Sequence, residues 1–388
     1  MRVPALAALP IFLFASCSGA SEAVEPGNGT AGPVQPAARP FATRSIAQFE
    51  EPWALAAIPG TDMILVTEKK GKLKLLWSDS GRVGEVAGVP AVDYGGQGGL
   101  GDVILHPDFA NNRYVYLSWA EAGEGDTRGA AVGRARLVMG PGEATRLEDL
   151  QVIWRQEPKV TGRGHYGHRL AFSPDGYLFI TNGDRQKFDP AQDDNQTLGK
   201  IVRLTDAGGI PNSNPWYDQG SRVRGQIWSK GHRNPLGIAF DGQGRLWEHE
   251  MGPKGGDEFN LIEKGKNYGY PIVSDGDHYD GRDLPDHRTR PEFAAPKITW
   301  TPVISPAGLI YYTGSLFPAW RGSFLMGGLS GKALVRVTID GENARVADRF
   351  DMGERIREVE QGRDGSIYLL EDQDEGSGGR LLKLTPAN

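Results

Sequence analysis

The sequence predicts an all-β protein, a six-bladed β-propeller of four-stranded antiparallel blades, on three observations. Short β-rich runs bounded by Gly, Pro, Asp and Asn recur along the chain; helical spacing is scarce; and six of the runs repeat one pattern. The six are "MILVTEKKGKLKLLW", "RYVYLSWAE", "GYLFITNGD", "GRLWEHEMG", "GSFLMGGLSGKALVRV" and "GSIYLLEDQ". Each is an alternating strand, usually preceded by an apolar strand and a turn such as "SPDG", "FDGQG" or "GRDG". With Leu65, Tyr116, Phe179, Trp247, Phe324 and Tyr368 taken as equivalents, the step is irregular, roughly 45 to 75 residues, which holds one blade with variable loops. A β-sandwich would be overfilled by some two dozen short strands, and a solenoid would repeat at shorter, more regular intervals. In a propeller, loops from every blade converge on one face, so residues distant in sequence can share a pocket.

The ends of the chain read differently. The first 20 residues, "MRVPALAALPIFLFASCSGA", carry one Arg, an apolar run too short to span a bilayer and small residues near Cys17, as an export signal does. Cys17 is the only cysteine, so no disulfide can form within the chain. It stands where a bacterial lipoprotein signal carries its lipid, although Phe14 replaces the usual aliphatic residue; an ordinary signal peptide is the alternative. The expected location is therefore periplasmic or lipid-anchored to a bacterial membrane. Residues 21–42 are rich in Pro, Gly and Ala without hydrophobic period and read as a flexible lead-in, leaving 43–388 as one propeller domain. The net charge is −6 with no basic block, which excludes nucleic acid as an expected partner. No GxGxxG opens a helix after a strand, which disfavours a nucleotide cofactor. Nothing decides between monomer and homodimer.

Four clusters carry candidate chemistry. In "RGHYGHRLAFSPDGYLFITNGDR", residues 163–185, the strands "HRLAFS" and "YLFITN" should pair across "PDG", setting His165 opposite Asp184. A carboxylate beside an imidazole fixes its tautomer and suits a general base near neutral pH; a capping His and a turn Asp are the alternative. His168 reads as packing. In "SKGHRNPLGIAFDGQG", Arg233 and Asn234 precede a strand with Pro235 fixing the backbone, able to face an anion or carbonyl together, or to pair with a neighbouring blade. In "HEMGPKGGDEFNLIEKGKNYGYP", Gly and Pro crowd around Glu258, and such a kinked loop can aim oxygens at Ca²⁺; a tight loop with a surface Glu is the alternative. No HxH or CxxC spacing points to a transition metal. In "ERIREV", Arg355 and Arg357 share one strand face, which calls either for an anionic ligand or for acidic neighbours such as Glu354 and Glu358.

In order along residues 47–386, "GGQGGLGDVILHPDFANNRYVYLSW", "GHYGHRLAFSPDGYLFITNGDR", "LGKIVRLTDAGGIPNSNPW", "GHRNPLGIAF", "MGPKGGDEFNLIEKGKNYGYP" and "RIREV" resemble the soluble quinoprotein glucose and aldose sugar dehydrogenases, six-bladed propellers that bind pyrroloquinoline quinone (PQQ) and calcium. The resemblance implies an aldose 1-dehydrogenase that yields a lactone, passes hydride from the sugar C1 to PQQ and then electrons to an unidentified acceptor. It implies His165 as the base, Asp184 behind it, Arg233 near the reacting carbonyl and Asn234 on PQQ. It further implies Arg355 and Arg357 on the PQQ carboxylates, and Gln97 and Trp300 at the sugar pocket. The Gly252 and Pro253 carbonyls would hold one calcium, and Glu258 with the Tyr268 carbonyl a second. Three positions depart. Gly164 stands where the glucose enzyme has a sugar-binding Asp; Ser330 stands at the family's PQQ-binding Lys, with Lys332 two places later as the candidate; and Lys297 replaces an aromatic three before Trp300. The pocket should accordingly favour a broad range of aldoses. Two other classes remain: a glycan- or protein-binding propeller without catalysis, and a calcium-dependent propeller lactonase, which has no use for the arginine pair.

Overall fold

A computed structural model describes residues 29–31, 36–140, 144–217, 220–373 and 378–387. The export signal expected over 1–20, with Cys17, and much of the 21–42 lead-in lie outside these residues.

Six four-stranded antiparallel sheets form the blades. The first is Pro52–Ala57, Met63–Glu68, Lys72–Trp77 and Arg82–Val86; the second Leu100–Leu105, Tyr114–Ala122, Arg128–Val138 and Arg146–Arg155. The third is Leu170–Phe172, Leu178–Asn182, Lys200–Leu204 and Ile227–Lys230; the fourth Pro235–Phe240, Leu246–Glu250, Asp257–Ile262 and Ile298–Trp300. The fifth is Pro306–Tyr311, Ser323–Gly328, Ala333–Asp340 and Asn343–Asp351. The sixth takes Ile356–Gln361, Ile367–Glu371 and Arg380–Pro386 from the end of the chain and its outer strand, Phe41–Gln48, from the beginning. That exchange ties the first blade to the last and closes the ring. The first strand of each blade touches the first strands of both neighbours all the way round. Within the stretch read as a lead-in, Gly29–Ala31 add a fifth, parallel strand to the fourth blade against Ile298–Trp300.

All six residues aligned as equivalents fall on the second strand of a blade, which packs on both faces and so reads as a nearly continuous apolar run. Successive side chains point to opposite faces, and each face meets a different neighbour. Leu65 joins the cluster between the first and second blades while Ile64 and Val66 join that between the sixth and first. Phe324 packs toward the fourth blade and Leu325 toward the sixth. Six apolar clusters thus fill the six interfaces between blades. Each buried Leu, Phe or Val contributes about 1.5–3 kcal/mol. With this ring rigid, the loops at its mouth are held in fixed relation.

Candidate active site

The segment 163–168 enters the third blade on a wound backbone: His165, Gly167 and His168 have φ of 48°, 72° and 76°. A β-carbon on Gly167 would lie 2.8 Å from the Thr181 carbonyl, so glycine is required there. The buried Arg185 holds this segment: its Nε donates to the Gly164 carbonyl (2.8 Å), its Nη2 to Gly162 (2.7 Å), and its guanidinium lies 3.7 Å over the Tyr166 ring. The "HRLAFS" and "YLFITN" strands pair with Leu170 opposite Ile180 and Phe172 opposite Leu178.

That pairing brings His165 Nδ1 to 2.6 Å from Asp184 Oδ1. The fully buried Asp184 carboxylate also accepts from the backbone N–H of Gln186 (2.9 Å) and Phe188 (3.2 Å), so both oxygens are held. A carboxylate so placed takes the Nδ1–H of the ring and leaves Nε2 with its lone pair. Burial pulls the His165 imidazole below its ordinary range, Asp184 opposes this, and Arg233 reinforces it. The ring is therefore neutral at neutral pH, with Nε2 free to accept a proton. Arg233 is tied to the pair through its carbonyl, which accepts from Asp184 N–H (2.8 Å). Its Nη1 donates to the Met251 carbonyl (2.9 Å), whereas its buried Nε has no partner among the described residues.

Beside these residues lies a cavity of about 200 Å³ lined by Gln97, Asn234, Arg355 and Arg357 among the expected residues, with Trp53, Lys69 and His168. His165 and Arg233 are outside its lining; Gln97 is the bridge, accepting the His165 N–H on Oε1 (2.7 Å). Asn234 accepts from Gly167 N–H (3.3 Å). The two arginines converge on one counter-ion just past the end of the neighbouring strand, Asp372, whose Oδ2 accepts from Arg355 Nη2 (2.8 Å) and Arg357 Nη2 (3.0 Å). Glu358, named as a possible neighbour, instead pairs with Arg169, which also donates to the Leu236 and Arg357 carbonyls and lies 4.1 Å over the Trp53 ring. Arg357 Nε is buried without a partner among the described residues, as are both ring nitrogens of His168. His168, read as packing, stacks on Tyr166 (5.1 Å) yet also lines the cavity, and burial pushes its ring down to about 3.

Oxygen ligands gather next to the cavity. A β-carbon on Gly252 would lie 2.1 Å from the Gly256 carbonyl, so this loop is folded more tightly than any side chain allows. Asp257 holds it, accepting from Gly252 N–H (3.0 Å) on one oxygen and from Ile304 and Ser305 N–H (2.8 and 2.7 Å) on the other. No described residue donates a hydrogen bond to the Gly252 or Pro253 carbonyl. Glu258 is not a surface loop residue: it is buried in a central strand, directly across from Glu250. Glu248 lies one turn of the pleat away, and His232, Glu248 and Glu250 bring ligand atoms within 4.8 Å of one another. Burial, with Glu258 nearby, holds Glu248 well above the usual carboxylate range; burial, with repulsion from Glu248 and Glu258, does the same to Glu250. Among the described residues no Lys or Arg side chain hydrogen-bonds Glu248, Glu250 or Glu258, and Glu248 Oε1 and His232 Nδ1 have no hydrogen-bond partner. His287 Nε2 lies 3.4 Å from Glu258 Oε1 and His232 Nδ1 3.5 Å from Glu250 Oε2, but three buried carboxylates without a Lys or Arg remain costly, so the donor set fits a hard divalent ion. The Tyr268 ring stacks on His232 with centroids 4.9 Å apart, and its backbone N–H donates to the Lys230 carbonyl (2.8 Å).

Two expected residues lie elsewhere. Trp300 is buried in the apolar cluster between the fourth and fifth blades, where the short last strand pairs it with Asp257, and does not line the cavity. Lys332 is exposed at a turn with φ of 47° and is also outside the lining, while Ser330 Oγ is spent on Ser305 Oγ (2.8 Å). Sequence reasoning missed Lys69, Asp372 and Arg185, and the aromatic rim where Phe188 (φ 64°, exposed) meets Tyr270 and His278 and where Arg233 lies 5.9 Å from the Tyr279 ring.

Residues 49–383 match the family described as Glucose / Sorbosone dehydrogenase. The chain is 38% identical over 348 residues to Aldose sugar dehydrogenase YliI of Escherichia coli (strain K12), covering 88% of this chain and 91% of that protein. Among solved structures it is similar to a glucose dehydrogenase (44% identity, 89% of this chain and 100% of that one, TM-score 0.83). It is also similar to the PQQ-bound form of Aldose Sugar Dehydrogenase from Streptomyces coelicolor (28% identity, 90% and 99% covered, TM-score 0.73).

Proposed function

The chain belongs to the Glucose / Sorbosone dehydrogenase family, and from that premise we propose that it oxidises aldose sugars at C1 to lactones, with PQQ and calcium as cofactors. The observation that carries the reading is the His165–Asp184 pair joined through Gln97 to a cavity that also holds Arg355 and Arg357. A base and an anion-binding wall then meet at one channel mouth. A binding propeller needs neither, and a lactonase has no role for the arginines.

Asp184 holds the imidazole in the Nδ1–H tautomer, and His165 Nε2 takes the proton of the anomeric hydroxyl. As that proton leaves, C1 gives up hydride and the sugar becomes the lactone. When bound, PQQ would supply the two-electron acceptor and calcium a Lewis acid. Arg357 and Asn234 would hold the cofactor, the first through its orphaned Nε. Arg233 presents an unpartnered Nε–H to negative charge developing next to His165. The Gly252 and Pro253 carbonyls would ligate one calcium, and Glu258 with the Tyr268 carbonyl a second, where Glu248 and Glu250 add charge. An export signal would place this reaction outside the cytoplasm, with electrons passing to an acceptor there.

A panel of aldoses offered with an artificial electron acceptor, with and without PQQ and Ca²⁺, tests the reading. Turnover that requires both cofactors is expected. Absence of turnover with both added would favour the binding propeller, and lactone hydrolysis without PQQ the hydrolase.

A further inference from the structure

We propose that Lys69 is a cofactor-binding residue, supplying from the first blade the cation that the family resemblance places at Ser330 in the fifth. The inference rests on the PQQ-dependent reading above and concerns how this chain completes that site.

The charge balance of the cavity leads to it. PQQ is a tricarboxylic acid, and the Lys and Arg side chains in the lining are Lys69, Arg355 and Arg357. The two arginines share Asp372, which neutralises part of the charge they offer to a multiply charged anion. His168 adds none, because its buried ring is neutral. Ser330 is uncharged and bonded to Ser305, and the exposed Lys332 is outside the lining. Apart from calcium and Arg233, which lies outside this lining, Lys69 is the one further Lys or Arg of the lining that can meet the anion, and a closely held anion is bound most strongly by charge-assisted hydrogen bonds.

Lys69 is built for this. It follows the second strand of the first blade, and its backbone is pinned on both sides: its N–H donates to the Glu51 carbonyl (3.0 Å) and its carbonyl accepts from Leu100 N–H (2.9 Å). Gly99 passes so close that a β-carbon there would lie 2.1 Å from the Lys69 carbonyl. The side chain therefore starts from a fixed root. Its Nζ donates to the Gly96 carbonyl (3.0 Å) and lies 5.9 Å from the Tyr94 ring, which leaves two of three N–H donors. Among the described residues no carboxylate pairs with it, in contrast to Lys70, which reaches Glu51 (3.9 Å). An ammonium without an acidic partner among the described residues, at the lip of a cavity that must hold an anion, has that anion as its natural partner.

The test is an equilibrium titration of the purified chain with PQQ in excess Ca²⁺, followed by quenching of tryptophan fluorescence, since Trp53 lines the cavity. Lys69→Gln should raise the PQQ Kd about tenfold, corresponding to about 1.4 kcal/mol, with unchanged thermal midpoint in the absence of PQQ. Lys69→Arg should stay within about threefold of the parent, and Ser330→Lys added to Lys69→Gln should recover most of the loss. The gap between parent and Lys69→Gln should narrow as salt rises. A parent-like Kd for Lys69→Gln, or an equal loss in Lys69→Arg, would overturn the proposal while leaving the dehydrogenase reading intact. A parent chain that binds no PQQ would overturn both.

Discussion

Replacing Asp184 with Asn keeps the side-chain volume and removes the charge behind His165. In the parent, Oδ1 takes the His165 Nδ1–H at 2.6 Å and the Gln186 N–H at 2.9 Å, while Oδ2 takes the Phe188 N–H at 3.2 Å. An amide has one acceptor oxygen. If it faces His165 and Gln186, its NH₂ meets the Phe188 donor; if it turns, the ring loses the acceptor that fixes its tautomer. Loss of one hydrogen bond to a charged group is worth about 1.5–3 kcal/mol, so kcat/KM for an aldose should fall roughly 10- to 150-fold. The pH profile distinguishes this from general damage. The base must be neutral, so kcat/KM falls as pH drops through the pKa of His165 in the free enzyme. Burial sets that pKa below 6.5, while Asp184 raises it. Removing Asp184 should therefore move the acid limb to still lower pH while the plateau drops. Steady-state rates with an artificial acceptor between about pH 4.5 and 8 provide the assay. An acid limb that moves to higher pH, or a plateau loss under threefold, would refute Asp184 as the orienting group.

Arg169→Met leaves Asp102 and Glu358 buried without their guanidinium and should cost about 3–5 kcal/mol in denaturant unfolding. Burial already pushes Glu358 up to about 7, so the deficit should be larger at pH 8 than at pH 5, where protonation relieves the stranded carboxyls. Chelation of Ca²⁺ should lower the thermal midpoint, with a stabilisation of about 2.7 kcal/mol at a hundredfold excess over Kd; Glu258→Gln should blunt that dependence, and an unchanged response would remove Glu258 from the metal site. Gly164→Asp places a β-carbon 2.4 Å from Gln186 Oε1, so the flexible Gln186 must swing away. The variant should remain folded and alter relative kcat/KM across an aldose panel by about tenfold, within the range that a few polar contacts provide.

What the sequence disclosed and what it hid divide along one physical line. Strand identity is local: alternation and turn chemistry placed Leu65, Tyr116, Phe179, Trp247, Phe324 and Tyr368 on corresponding strands, and the turn after Pro174 set His165 against Asp184. The alternation of Arg355 and Arg357 signalled a shared partner, although that partner was Asp372 rather than the sequence neighbours Glu354 and Glu358. Convergence between blades was not legible. Nothing in "EKKGK" separates Lys69 from Lys70, because the difference is which of them reaches a cavity formed by residues far along the chain. Trp300 and Lys332 show the same limit: resemblance supplies a position, while the short last strand of the fourth blade buries the one and a turn exposes the other. Glu248 and Glu250 drew no attention as residues of an ordinary strand, and only the pairing with Glu258 and the approach of His232 make them a ligand set.

Anaerobic stopped-flow absorption of the PQQ- and Ca²⁺-loaded chain after addition of an aldose, comparing the parent with His165→Ala, addresses the proposed chemistry most directly. The account predicts that both bind PQQ, that the parent's quinone band bleaches on the turnover timescale, and that the variant bleaches about two to four decades more slowly. Equal bleaching rates would contradict the role given to His165, and a parent band unmoved by any aldose would contradict sugar oxidation itself.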